Sequence, residues 1–362
     1  MLRGRTFKFG LLRSIMKRGP GESLKTPKRE SARRDPPWPK LKTSATGPKT
    51  CASFDPICHL QFAIGNLQSE SRLPGYSSAM VRDRVREEPS ESFRGWRRPG
   101  PIPPGGVEPE EGETLNYICG HFRIFQYERG HRFSIDDVLA AWYGTQWAPR
   151  VARMLDLGSG IGSLAILAAW RLPGANVVTI EAQTESVRLA MKSVRYNGLS
   201  ERFRIIEGDL RDDSLITGEE PFDLVLGSPP YFLCGAISES SHPQAVAARV
   251  EKRGDIADYA RAAARHLAPG GLFAFVMPTN DLARTSSALD VNDLALIRRR
   301  EVIFKEGEPY SLTLFAATRR ADLPESWSPF VEPPLVIRRG DGSIHPEFSA
   351  IRLSFGYPPS DR

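Results

Sequence analysis

The 362-residue chain has little cysteine and no clustering of it. Cys51, Cys58, Cys119 and Cys234 make no CxxC pair, so neither a zinc cluster nor a disulfide framework is indicated, and a reducing compartment is the default. The six histidines contain no HExxH motif and no close pair, which removes the usual signature of metal-dependent hydrolysis; no metal is expected. Long apolar runs are also missing. Leu164 to Trp170 is one of the longest, far short of the roughly 20 residues that a membrane-spanning helix requires, so no membrane association is expected.

What is present is unevenly distributed. Lys and Arg number 49 against 43 Asp and Glu, a net charge of +6. Residues 1–50 hold 14 basic and 3 acidic side chains, so everything after residue 50 sums to −5. The basic excess therefore belongs to a leader and does not by itself indicate a nucleic-acid surface on the folded part. Of the 30 prolines, 14 fall within residues 1–110, where Pro, Gly and charge alternate without apolar periodicity. Such a stretch buries too little surface to offset the entropy of ordering it. We read residues 1–110 as a basic, Pro-rich, mostly disordered leader and residues 111–362 as the folded domain. The acid-free first 18 residues suit a mitochondrial or plastid transit peptide, an extension upstream of a start at Met80, or a basic arm that attracts RNA. Without a transit peptide the expected location is cytoplasmic.

Beyond Gly112, strand and helix signals alternate, the pattern of a doubly wound, mostly parallel α/β sheet. Strands are predicted at Val151 to Leu157, Asn176 to Ile180, Phe203 to Ile206, Phe222 to Leu226 and Leu272 to Val276, with later ones at Leu296 to Phe304 and Ser311 to Thr318. Helices are predicted at Gly162 to Arg171, from Thr184 to Asn197, and at Asp255 to Leu267.

Three motifs carry chemistry. Asp156-Leu157-Gly158-Ser159-Gly160-Ile161-Gly162 lies where a strand passes into a helix, and its alternate glycines let a ligand approach the backbone with no Cβ in the way. The GxGxG spacing after an acid differs from the GxGxxG of dinucleotide folds and fits a ligand with a positive centre and no phosphate. Glu181 follows the second strand and is placed to accept both hydroxyls of a ribose; Asp209 follows the third, so three acids converge at successive strand ends. Finally, Ser228-Pro229-Pro230-Tyr231-Phe232 follows the strand Phe222 to Leu226. Consecutive prolines stiffen the backbone and leave carbonyls free to accept from a substrate NH, while an aromatic supplies a stacking face. That combination suits an exocyclic amino group on a planar base.

In this order the motifs resemble those of class I S-adenosylmethionine-dependent methyltransferases that modify amino groups, a Rossmann-like fold. Gly130-His131-Arg132-Phe133-Ser134-Ile135-Asp136, and Pro334 to Arg338 with His345 to Phe348, resemble segments of the bacterial tRNA adenine N6-methyltransferase family that modifies the adenosine beside the anticodon of valine tRNA. The resemblance spans roughly residues 112–355. It implies that Gly158, Gly160 and Gly162 pass under the methionine part of S-adenosyl-L-methionine, that Glu181 holds the ribose, that Asp209 faces the adenine amino group, and that Phe133 and Asp136 close the site. Asp156, which precedes the loop, would belong to the same cofactor-binding set. Ser228, Pro229, Pro230 and Tyr231 would be catalytic, Tyr231 and Phe232 would bind the base, and Arg249 would meet substrate phosphate.

One position departs from the family: Ser228 stands where it has Asn. A serine hydroxyl lacks the reach of an amide carbonyl, so a weakened or shifted activity is expected. The leading reading is methyl transfer to an exocyclic amino group of RNA, most simply adenine N6 in tRNA, by direct displacement in a monomer. Methylation of a protein glutamine, or a noncatalytic cofactor- and RNA-binding module, are the alternatives; a nicotinamide oxidoreductase is disfavoured by the loop spacing. Because residues 111–362 carry a net charge of −4, RNA contact requires a local patch, with Arg249, Lys252, Arg253 and Arg298 to Arg300 as candidates.

Overall fold

The computed structural model describes residues 92–93, 95–146, 150–231, 244 and 254–360. All of these belong to one compact unit, residues 54–362; the other unit, residues 1–53, lies outside the described residues, as does most of the predicted leader.

A short antiparallel pair, β1 (Ser92–Phe93) and β2 (Trp96–Arg97), precedes an antiparallel hairpin of β3 (Glu113–Cys119) and β4 (Phe122–Tyr127). The Pro- and Gly-rich stretch between β2 and β3 was assigned to the leader by composition, yet it is fastened to the domain. The buried Arg98 donates to the Gly120 carbonyl at 3.1 Å and the Gly105 amide donates to the Tyr196 carbonyl at 3.1 Å.

Helix α1 (Ile135–Gln146) follows the hairpin, and its start is a reciprocal cap: the Ser134 amide donates to Asp137 Oδ2 at 3.0 Å and the Asp136 amide to Ser134 Oγ at 3.3 Å. Alternation then proceeds through β5 (Arg153–Leu157), α2 (Ser163–Arg171), β6 (Asn176–Glu181), α3 (Thr184–Tyr196), β7 (Phe203–Glu207) and β8 (Phe222–Gly227). After it come α4 (Ile256–His266), β9 (Leu267–Pro278), α5 (Leu282–Val291), β10 (Leu294–Lys305) and β11 (Leu312–Arg319). The chain closes with β12 (Phe330–Val331), β13 (Leu335–Arg338) and α6 (Pro346–Ser354).

The predicted strands and helices are present, with one difference. Pro269, Gly270 and Gly271 were expected to separate helix from strand, but β9 already begins at Leu267, paired with Phe222, and the intervening residues form a bulge before pairing resumes at Leu272 with Leu224.

The nine-stranded sheet runs β12-β10-β11-β9-β8-β5-β6-β7, with β13 also on β10. From β7 to β9 every pairing is parallel; β11 is antiparallel to both its neighbours. Both faces are covered. Leu224 and Leu226 of β8 point into one apolar cluster with Leu139 and Leu164, whereas Val225 points into the other with Phe273 and Tyr259. Strand order reverses between β5 and β8, because the chain first builds outward to β6 and β7 and then returns to β5's other side. That reversal opens a crevice beyond the carboxyl ends of the strands.

Candidate active site

The glycine loop leaves β5 inside that crevice. Gly158, Gly160 and Gly162 have φ of 60°, 55° and 82°, left-handed values that disfavour any side chain. Space is closed at Gly158 too, where an added Cβ would fall 1.9 Å from the Tyr259 hydroxyl. The Ser159 amide donates to the Ile180 carbonyl at 3.0 Å, tying the loop to β6. Glu181, at the end of β6 and 6% exposed, holds the loop further through Oε2, which accepts from the Gly160 amide at 2.8 Å, while Oε1 accepts from the Gln183 amide at 2.7 Å at the start of α3.

The electrostatics of this pocket are dominated by buried acids. Asp156 is 1% exposed, and its carboxylate oxygens lack a hydrogen-bond partner within bonding distance. Burial drives its pKa well above the ordinary carboxylate range, the like charges of Asp137 and Glu181 push it the same way, and the Ala165 amide opposes them. Asp137 is raised to about 6, again by burial, against the opposing hydrogen bonds from the Ser134 amide and the Ser163 hydroxyl, the latter at 3.1 Å. The Tyr259 phenol is pushed up by burial and by Glu181, Asp156 and Asp209.

Asp209 stands apart. Its side chain is 33% exposed and chelated by Arg211, whose Nε and amide reach Oδ1 at 2.9 Å and whose Nη2 reaches Oδ2 at 2.5 Å. Its acceptors are therefore shared with Arg211.

On the other side of β5, β8 delivers the Pro-Pro-Tyr segment. Pro229 is buried, and Ser228, Pro230 and Tyr231 are half-buried. The Tyr231 hydroxyl donates to Asp136 Oδ2 in a long bond of 3.4 Å, which joins the segment to the start of α1. Asp136 is buried, and the Phe133 amide donates to Gln126 Oε1 at 3.2 Å, fixing that approach segment on the hairpin. Phe232, Arg249, Lys252 and Arg253 lie outside the described residues.

Of the candidate patch Arg298 to Arg300, the outer two arginines are buried and Arg299 is half-buried beside Glu301 at 3.5 Å. Arg298 is fully buried, ion-paired with Glu332 at 3.1 Å, donating to the Tyr143 carbonyl at 2.5 Å and stacked 3.7 Å over the Tyr143 ring. Arg300 is buried and pairs with Glu347 at 2.7 Å. Residues two apart on a strand share a face, and here that face is covered by α1 and the C-terminal segment.

Sequence reasoning missed three residues at the site. Tyr259 lies on α4 with no motif around it; Asp137 sits beside the motif residue Asp136 and reads as an ordinary helix-start acid; His131 belongs to the quoted approach segment, but only folding places its ring next to Gly160, with Cδ2 and Nε2 each 3.8 Å from where a Cβ would be.

A backbone cradle open to close approach, beside a buried carboxylate set whose Asp156 oxygens await a partner, fits the sulfonium and ribose of S-adenosyl-L-methionine. The family profile of the methyltransferase small domain matches residues 144–291. The chain is 29% identical over 222 residues to the tRNA1(Val) (adenine(37)-N6)-methyltransferase of Tolumonas auensis, covering 60% of this chain and 86% of that one. It is 30% identical over 243 residues to the enzyme of the same name from Porphyromonas gingivalis, covering 64% and 91%. A shorter match, 38% over 79 residues, is to the release factor glutamine methyltransferase of Chlorobaculum tepidum, covering 22% and 27%. With the glycine loop, the strand order and these similarities in agreement, the chain belongs to the tRNA1(Val) (adenine(37)-N6)-methyltransferase family and is an S-adenosyl-L-methionine-dependent methyltransferase.

Proposed function

We propose that this enzyme methylates the exocyclic N6 amino group of an adenine in tRNA, as a monomer in the cytoplasm. The observation that carries the reading is the Pro-Pro-Tyr segment at the end of β8, seated beside the glycine loop of β5 and braced to α1 through Tyr231 and Asp136.

Bound cofactor supplies an electrophilic methyl on a sulfonium. Gly158, Gly160 and Gly162 would hold it against the loop, Glu181 would hold the ribose, the buried acids around the loop would favour its positive charge, that charge would in turn favour the ionised form of Asp156, and Phe133 and Asp136 would close the pocket. An adenine N6 is a poor nucleophile because its lone pair is delocalised into the ring. The Pro229 carbonyl and the Ser228 hydroxyl accept its hydrogens and favour the pyramidal form, while Tyr231 stacks on the ring and fixes the line of attack. Stacking of this kind contributes ~1 to 3 kcal/mol, comparable with the cost of unstacking a base. Arg249, Lys252 and Arg253 are the proposed contacts to phosphate, and Phe232 adds a second face for the base.

Since Ser228 stands where the family has Asn, one acceptor bond to the substrate would be longer in this enzyme. We expect a Ser228→Asn variant to raise kcat about fivefold to tenfold, the equivalent of one hydrogen bond of about 1 kcal/mol. The test of the function uses the full chain with tritiated S-adenosyl-L-methionine and separate pools of total tRNA and total protein from cells lacking the enzyme. Label recovered as N6-methyladenosine in tRNA is the expected result. Label in protein glutamine would replace it with the reading that the release factor relative suggests, and cofactor binding without label in either pool would support the noncatalytic module.

A further inference from the structure

Between the Pro-Pro-Tyr motif and α4, Gln244 is a described residue that is buried, polar and outside every motif above. Gln244 is 5% exposed, and each half of its carboxamide is taken by a different part of the chain. Oε1 accepts from the His131 amide at 2.8 Å, and Nε2 donates to the Ser186 hydroxyl at 3.0 Å. The close approach depends on Gly130, where a Cβ would lie 2.4 Å from Gln244 Oε1. A buried amide is costly unless both its donor and acceptor are satisfied, so it stabilises only the arrangement that satisfies both.

Its two partners are not arbitrary. His131 places its ring next to Gly160 of the glycine loop. Ser186 is fully buried in the first turn of α3, three residues after Gln183, whose amide donates to the same Glu181 carboxylate that accepts from Gly160 of the loop. The approach segment is thus tied to the substrate side twice, by Gln244 to His131 and by Tyr231 to Asp136.

We infer that Gln244 is a positioning residue that holds the approach segment and the start of α3 in register around the glycine loop, and so sets how tightly the cofactor is retained without touching it. The inference rests on the glycine loop being the cofactor site. It also makes the substrate side of the enzyme contribute to cofactor affinity through a single side chain.

Calorimetry with S-adenosyl-L-methionine and S-adenosyl-L-homocysteine on the full chain tests it, alongside steady-state kinetics on tRNA. Gln244→Ala, which removes both bonds, is expected to raise Kd for both ligands about tenfold, with the loss appearing in KM for the cofactor more than in kcat. Gln244→Glu is expected to recover most of the affinity, because its carboxylate accepts from both the His131 amide and the Ser186 hydroxyl. Ser186→Ala removes one bond of the two and is expected to raise Kd about threefold. Unchanged cofactor affinity in folded Gln244→Ala, or in Ser186→Ala should the first variant fail to fold, would overturn the inference. Absence of cofactor binding by the wild-type chain would instead overturn the site assignment on which it rests.

Discussion

The ends of β6 and β7 offer the same sequence signal, an acid just past a parallel strand, and the fold treats the two oppositely. Glu181 is buried at the switch point and accepts one backbone amide on each carboxylate oxygen, from Gly160 of the loop and from Gln183, whereas Asp209, one strand further out, is a third exposed and chelated by Arg211. Position in the sheet, not residue type, sets the difference: β6 is flanked by β5 and β7, while β7 is the edge strand. In a low-dielectric crevice an acid is a strong determinant of both loop geometry and ligand charge; at a hydrated edge the same acid is weakened by solvent and by its cation.

The largest effect should come from the buried side of this comparison. Glu181→Ala removes two charge-assisted bonds, one to Gly160 of the glycine loop and one to Gln183 at the start of α3, and is expected to weaken cofactor binding about a hundredfold, ~3 kcal/mol, by calorimetry. A loss under about fivefold would erase the contrast with β7.

Next is the pH dependence of stability that burial imposes on Asp137. Its folded pKa is raised from 3.8 to about 6, so the folded state binds this proton more tightly than the unfolded chain, and the contribution to stability falls as pH rises through that window. Above it a constant cost of about 3 kcal/mol remains. Asp137→Asn keeps an acceptor for the Ser134 amide and the Ser163 hydroxyl, so the variant is expected to be more stable than wild type at pH 7, with the advantage shrinking toward pH 4, as read from urea midpoints. A pH-independent difference would show that the site is better hydrated than its burial implies.

The smallest effect is predicted at the exposed end. Asp209→Asn should change cofactor Kd by less than about fivefold, in keeping with the small worth of an exposed ion pair. A loss as large as that of Glu181→Ala would show that Asp209 leaves Arg211 to engage the ligand.

Legibility in the sequence followed the range of the interactions. The strands β5, β6, β8 and β11 and the helices α2 and α3 are visible because their apolar periodicity is local. The bulge in β9 is not, since Pro269 to Gly271 reads as a stop and only pairing with β8 carries the strand past it. Arg298 to Arg300 reads as a basic patch for the same reason in reverse: alternation on a strand places Arg298 and Arg300 inward, but the partners that neutralise them, Glu332 and Glu347, are distant in sequence.

By itself the sequence determined the alternating α/β plan, the glycine loop and its acids, the Pro-Pro-Tyr segment and the family to which they belong, because each is written in a few adjacent residues. Only tertiary structure decided which acids lose their water, that Asp137 and Tyr259 join the site, and that Gln244 bridges His131 and Ser186. Those outcomes depend on burial and on contacts between segments tens to more than a hundred residues apart, quantities that no local window of the chain contains.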